Sequence, residues 1–170
     1  SIENRTRFLM EVTKAVVDIW GANRVGIRLS PYGIANGSGE PDPMPLYEHI
    51  VERLNPLGLA YLHFIEPRSS GAGRAEVNWQ GVPSAMVLFR PIVKGVLIAA
   101  GGFTGEAAEA AIAEGHADAI AFGRIFISNP DLPLRLQRGY PLTPYDRKTF
   151  YGGDVAGYTD YLFHDAMAVA

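Results

Sequence analysis

The sequence predicts an α/β protein that supplies the last four β/α units of an eight-stranded (β/α)8 TIM barrel. Two apolar runs near the C-terminus each end on glycine: Val96-Leu97-Ile98-Ala99-Ala100-Gly101-Gly102 and Ala119-Ile120-Ala121-Phe122-Gly123-Arg124. A helical stretch over residues 105–114 separates them. Two further apolar runs upstream alternate with helical periodicity, which calls for parallel strands joined by right-handed crossovers. A whole barrel needs roughly 250 residues, and this chain has 170. Half a barrel or a small open sheet therefore remains.

The elements follow in order. Ser1 stands where a helix N-cap would, and Phe8, Leu9, Val12, Val16, Ile19 and Trp20 recur at helical spacing behind it. A chain that starts on a cap, without an initiator methionine, is expected to be a truncated, split or circularly permuted piece of something larger. Residues 24–31 form the first strand. The stretch from Pro31 to Pro45 is rich in glycine and proline and reads as a loop. Helical periodicity returns over 46–57, with Leu46, Ile50, Val51 and Leu54 on one side, and Gly58 ends it. The second strand covers 59–66, a polar loop covers 67–81, and a short helix lies around 84–93. The four strands read as apolar on both faces, as a helix-covered parallel sheet requires. Residues 1–170 are expected to form one domain, incomplete without a complementary half.

Composition excludes several classes. Hydrophobic residues make up 48% and charged residues 19%, with a net charge of −3. The basic residues are scattered, whereas a nucleic-acid binder concentrates them on one face. Without cysteine there are no disulfides, thiolate metal sites or cysteine nucleophiles. The longest apolar run is too short to span a bilayer. A soluble, cytoplasmic protein is expected, with no nucleic acid and no membrane as partner.

Six positions could carry chemistry. Arg28 lies inside the first strand, where an unpaired charge is costly, so it faces either a ligand or a carboxylate. Always protonated, it would stabilise negative charge on an electron acceptor. Gly101, Gly102, Gly123 and Arg124 end two successive strands with bare backbone N–H groups and one guanidinium. Barrels hold phosphate after strands seven and eight in this manner, although tight turns alone would also place glycine there. Tyr151 is either a packed aromatic or a site residue. His63 is expected to be a satisfied core histidine, and His49 and His116 to be solvated. No histidines and carboxylates have metal-ligand spacing, so no metal is expected. No Gly-x-Ser-x-Gly elbow is present.

Several motifs together resemble the Old Yellow Enzyme family of FMN-dependent ene-reductases. They are Ser1-Ile2-Glu3-Asn4-Arg5 with Arg7-Phe8, Val25-Gly26-Ile27-Arg28-Leu29-Ser30-Pro31, Tyr61-Leu62-His63 with Glu66-Pro67-Arg68, and Ala100-Gly101-Gly102-Phe103. The run Phe122-Gly123-Arg124-Ile125-Phe126-Ile127-Ser128-Asn129-Pro130-Asp131-Leu132 is the most specific. Tyr145-Asp146-Arg147, Thr149-Phe150-Tyr151 and Gly157-Tyr158-Thr159-Asp160-Tyr161 complete the series in family order.

The resemblance implies a TIM barrel that binds FMN non-covalently, is reduced by NAD(P)H and reduces activated alkenes such as enones, nitroalkenes and maleimides. Hydride would pass from flavin N5 to the alkene β-carbon. By position, Arg28 would contact the pyrimidine end of the flavin. Gly101, Gly102, Gly123 and Arg124 would hold the FMN phosphate, and Tyr151 would line the substrate side. The family's proton-donating tyrosine and its His/His or His/Asn pair cannot be matched, so no catalytic residue is expected in this segment. The chain resembles only the C-terminal half of such an enzyme. Its expected partner is a complementary N-terminal half-barrel or a second copy. The alternatives are a catalytically silent half-barrel module, which could be homodimeric, and a different phosphate-binding barrel enzyme.

Overall fold

In the computed structural model, which describes residues 1–33, 39–67, 81–151 and 153–164, Ser1 does cap a helix. Its hydroxyl accepts the Asn4 amide at 3.3 Å, and α1 runs over Ile2–Trp20. Thr6 and Thr13 are its buried residues, each hydroxyl donating to a carbonyl one turn back. The predicted apolar stripe lies largely outside that contact: Phe8 is 76% and Ile19 77% exposed. Gly21, at φ +80°, ends the helix.

Strand β1 (Gly26–Leu29) follows, then α2 (Pro43–Leu54), β2 (Tyr61–Ile65), α3 (Ala85–Phe89), β3 (Leu97–Ala100), α4 (Gly105–Ala113) and β4 (Ala119–Ala121). Helix α2 starts three residues earlier than its apolar periodicity indicates, because Pro43 at the first turn has the φ a helix needs and lacks only an amide that would be unpaired anyway. Thr104 caps α4 by accepting the Ala107 amide. The loop expected over 67–81 falls mostly outside the described residues, as does Arg68 of the Glu66-Pro67-Arg68 motif.

The strands form one sheet in the order β1-β2-β3-β4, all parallel. Chain order equals spatial order, as in consecutive strands of a barrel wall. Side chains alternate across the sheet. Leu29, Leu62, Phe64, Leu97 and Ala99 are buried on one face, where the Phe64 ring stacks on Phe89 of α3 at 4.8 Å. The opposite face is not apolar throughout, contrary to expectation. It carries exposed Arg28 and Tyr61 and half-buried His63, because the described helices bury only the alternate positions.

Glu66, just past β2, is only 2% exposed. Its carboxylate accepts the Met86 amide at 2.9 Å and the Ala85 amide at 3.2 Å. It thus supplies the cap that Ser84 does not make for α3.

The chain divides into two compact units, Ser1–Ala121 and Phe122–Ala170. The second contains α5 (Arg124–Ile127), α6 (Leu132–Arg138) and a 3-10 turn at Arg147–Thr149. The second glycine-ended run is therefore shorter as a strand than predicted. Gly123, at φ −110° and ψ −82°, breaks the extended path, and Arg124 is the first residue of a helix. No helix among the described residues is long and apolar enough to cross a membrane.

Candidate functional site

In the first unit, register places Arg28 beside His63, His63 beside Ile98, and Ile98 beside Ala119. In-register neighbours of a parallel sheet share a face, so Arg28 and His63 lie together on the face the helices leave open. Among the described residues Arg28 has no carboxylate within ion-pair distance. His63 is not the satisfied core histidine expected. Its Nε2 is shielded from solvent and has no hydrogen-bond partner among the described residues. Burial first, and the Arg28 charge second, push the imidazole below its ordinary pKa. His49 and His116 are half-buried and keep partial contact with solvent, and His116 lies 3.2 Å from Glu114.

At the end of β3, Gly101 has φ +124° and Gly102 φ +65°. Both values suit glycine and turn the chain immediately after the strand. A side chain at either position would be strained.

In the second unit, a Cβ at Gly123 would meet no atom of the described residues within 4 Å apart from its chain neighbours. Arg124 is half-buried, with its guanidinium carbon 5.8 Å from the centroid of the Tyr145 ring. Arg147 stands at the same 5.8 Å from that ring. Tyr145 in turn packs on buried Phe150 at 5.4 Å. Tyr151 meets Phe150 edge-on and is 73% exposed. A pocket of about 510 Å³ is lined by Gly123, Phe126, Ile127, Tyr158, Tyr161 and Phe163, among others, and Tyr151 takes no part in it.

Sequence reasoning used Asn129 and Asp131 only as fingerprint residues and did not single out Arg135. The structure shows that they organise the second unit. Arg135 is 1% exposed. It donates to Asp131 at 2.7 Å, to the Asn129 side-chain oxygen at 2.8 Å, to the Thr143 hydroxyl at 3.1 Å and to the Leu162 carbonyl at 2.8 Å. Burial raises the Asp131 carboxyl, but the His164 amide and the Arg135 guanidinium outweigh it and hold it below the usual carboxylate range. Asp131 and Arg135 are spaced i, i+4, and that was the available signal. Tyr145 carried no such signal, since its neighbours on the ring are 21 residues back and two ahead. Among the described residues no cluster could hold a metal ion.

Residues 1–143 match the NADH:flavin oxidoreductase / NADH oxidase family. The chain belongs to that family. Among flavin oxidoreductases of known sequence, it is 44% identical to 12-oxophytodienoate reductase 2 of Arabidopsis thaliana, over 95% of this chain and 42% of the relative. It is 45% identical to 12-oxophytodienoate reductase 1 of Oryza sativa subsp. japonica, over 96% and 42%. Among solved structures it is similar to the old yellow enzyme of Trypanosoma cruzi, with a TM-score of 0.86 and 35% identity over 96% of this chain and 41% of that one. Morphinone reductase in complex with tetrahydroNAD gives 0.83 and 42%, over 96% and 42%. The chain thus spans less than half the length of these relatives. The barrel fold and Old Yellow Enzyme membership expected from the motifs are borne out, and the family is FMN-binding.

Proposed function

We propose that this chain is the flavin-holding part of an FMN-dependent oxidoreductase that takes hydride from NAD(P)H and reduces activated C=C bonds. The observation that carries the reading is Arg28, a permanent cation on the open face of a parallel sheet with no carboxylate partner among the described residues. Such a charge is offset by an electron-rich ligand. The donor set fits FMN. Arg28 would neutralise charge on the ring system. The backbone at Gly101 and Gly102, and that at Gly123 with Arg124, would supply phosphate donors, and Tyr151 would border the substrate. When bound, FMN supplies the hydride chemistry between nicotinamide and alkene. This chain's residues bind and orient it, while the proton donor and the carbonyl-gripping pair lie in a complementary half-barrel.

Two facts support that partner. The relatives are more than twice as long as the matched region, and α1 exposes Phe8, Ile19 and Trp20, apolar area that a monomer would be expected to cover.

Denaturing mass spectrometry of the folded material, with flavin absorbance, tests the reading. A second polypeptide, or a longer chain, together with released FMN and NADPH-driven reduction of 2-cyclohexenone, is the expected result. A folded sample of this chain alone, flavin-free and unable to take up FMN, would leave the silent half-barrel module in its place.

A further inference from the structure

We propose that Tyr145 is a positioning residue for phosphate binding, its ring fixing the Arg124 guanidinium so that it can meet a phosphate monoester. The inference rests on the reading of Arg124 as a phosphate ligand and adds a residue to which that reading assigns no role.

The geometry is local to the second unit. Asn129 accepts the Thr143 amide through its side-chain oxygen at 2.7 Å and donates to the Thr143 carbonyl at 3.0 Å, and the Ser128 hydroxyl donates to that carbonyl at 2.8 Å. These bonds tie the segment leading into Tyr145 to the C-terminal end of α5, whose first residue is Arg124. Downstream, Asp146 accepts the Lys148 amide at 2.9 Å and starts the 3-10 turn that carries Arg147. Its own amide donates to the Tyr161 hydroxyl at 3.4 Å. Tyr145 is thus anchored on both sides in sequence, and buried Phe150 backs its ring.

A guanidinium carbon 5.8 Å from a ring centroid is within cation–π range. Arginine carries rotamer entropy that any phosphate contact must overcome. Holding its head group against an anchored ring removes part of that cost before the ligand arrives. Arg147 brings a second positive charge to the same ring. A phosphate monoester near neutral pH carries between one and two negative charges, which the Arg124 cation would offset in part.

The test compares FMN with riboflavin, which has the same ring system and no phosphate. The full protein, stripped of flavin, is titrated with each, and the affinity ratio isolates the phosphate contribution. Tyr145→Leu should weaken FMN binding about five- to tenfold and leave riboflavin binding unchanged. Tyr145→Phe, which keeps the ring, should retain the wild-type ratio. Tyr145→Met, unbranched, flexible and without a π face, replaces leucine if the leucine variant does not fold. Equal weakening of both ligands, or of neither, overturns the positioning role. Arg124→Gln separates the two ideas. If it leaves the ratio unchanged, the phosphate reading fails and this inference with it. If it lowers the ratio and Tyr145→Leu does not, only the inference fails.

Discussion

The Arg135 guanidinium donates to the side-chain oxygen of Asn129 at 2.8 Å, and the same oxygen accepts the Thr143 amide at 2.7 Å. One buried oxygen thus joins α6 to the segment that precedes Tyr145. The Ser-Asn-Pro-Asp fingerprint is then explained by architecture: it builds a hydrogen-bonded polar core in a small unit whose buried apolar side chains, among the described residues, are Leu132 and Phe150.

Removing Arg135 should therefore be costly. Arg135→Met would take from the Asp131 carboxylate its guanidinium donor, leaving it the His164 amide, and would take from the Leu162 carbonyl the donor it now has. Breaking one side of a buried pair costs about 3–5 kcal/mol. Arg135→Lys keeps the charge but loses the fork that reaches several acceptors at once, so it should recover only a minority of the loss. Denaturant unfolding monitored in the second unit measures both. A loss below about 1 kcal/mol for Arg135→Met would match a surface pair instead.

The four strands and their parallel order were legible because apolar runs of strand length alternate with helical periodicity. The glycine turn at Gly101-Gly102 was legible for the same local reason. Three features were not. The run Arg124-Ile125-Phe126-Ile127 has strand-like composition, yet it forms a helix behind the break in the extended path at Gly123. Glu66 caps a helix 19 residues ahead, and no local pattern encodes a contact of that range. His63 looked like core because its strand neighbours Leu62 and Phe64 are core. Alternation sends it to the other face, beside Arg28. Of the candidate site, the Arg28 strand position and the glycines could be read from local pattern, whereas the Tyr145 ring depends on a fold-level convergence.

Gly26 and Tyr61 are register partners, and a Cβ on Gly26 would come within 2.3 Å of the Tyr61 ring. The strand backbone at Gly26 is ordinary, so the whole penalty of Gly26→Ala is steric, about 1–3 kcal/mol. In a Tyr61→Ala background the same change should cost under about 0.5 kcal/mol. A double-mutant cycle on unfolding free energy reads the coupling. Additive effects would mean that the ring moves away without cost.

His63 should make stability pH-dependent. Its folded pKa lies below the ordinary 6.5 because burial, and then Arg28, disfavour the imidazolium. A depressed histidine pKa contributes stability in full above the unfolded value, and the contribution is lost as pH falls through the unfolded value toward the folded one. Of the residues paired with it, Arg28 on β1 carries charge and Ile98 on β3 carries none. Stability should thus decline on acidification below about pH 6.5, and His63→Gln should flatten that decline. An NMR titration of the His63 ring checks the premise. A midpoint at or above 6.5 would refute it.

Glu66 offers the sharpest separation of geometry from charge. Its two oxygens each accept one backbone amide at the start of α3, at 2.9 and 3.2 Å, in a buried setting. Glu66→Ala leaves both amides unpaired and should cost about 2–6 kcal/mol, at roughly 1–3 kcal/mol for each buried unpaired group. Glu66→Gln keeps one carbonyl oxygen but turns an NH2 group toward the other amide, so it should lose about half as much. Hydrogen exchange at Ala85 and Met86 provides the local readout. In Glu66→Gln one of the two amides should stay protected and the other exchange faster. In Glu66→Ala both should exchange faster. If both amides stay protected in the alanine variant, the cap is not what holds α3 in place, and burial of Phe89 against Phe64 alone would have to hold it.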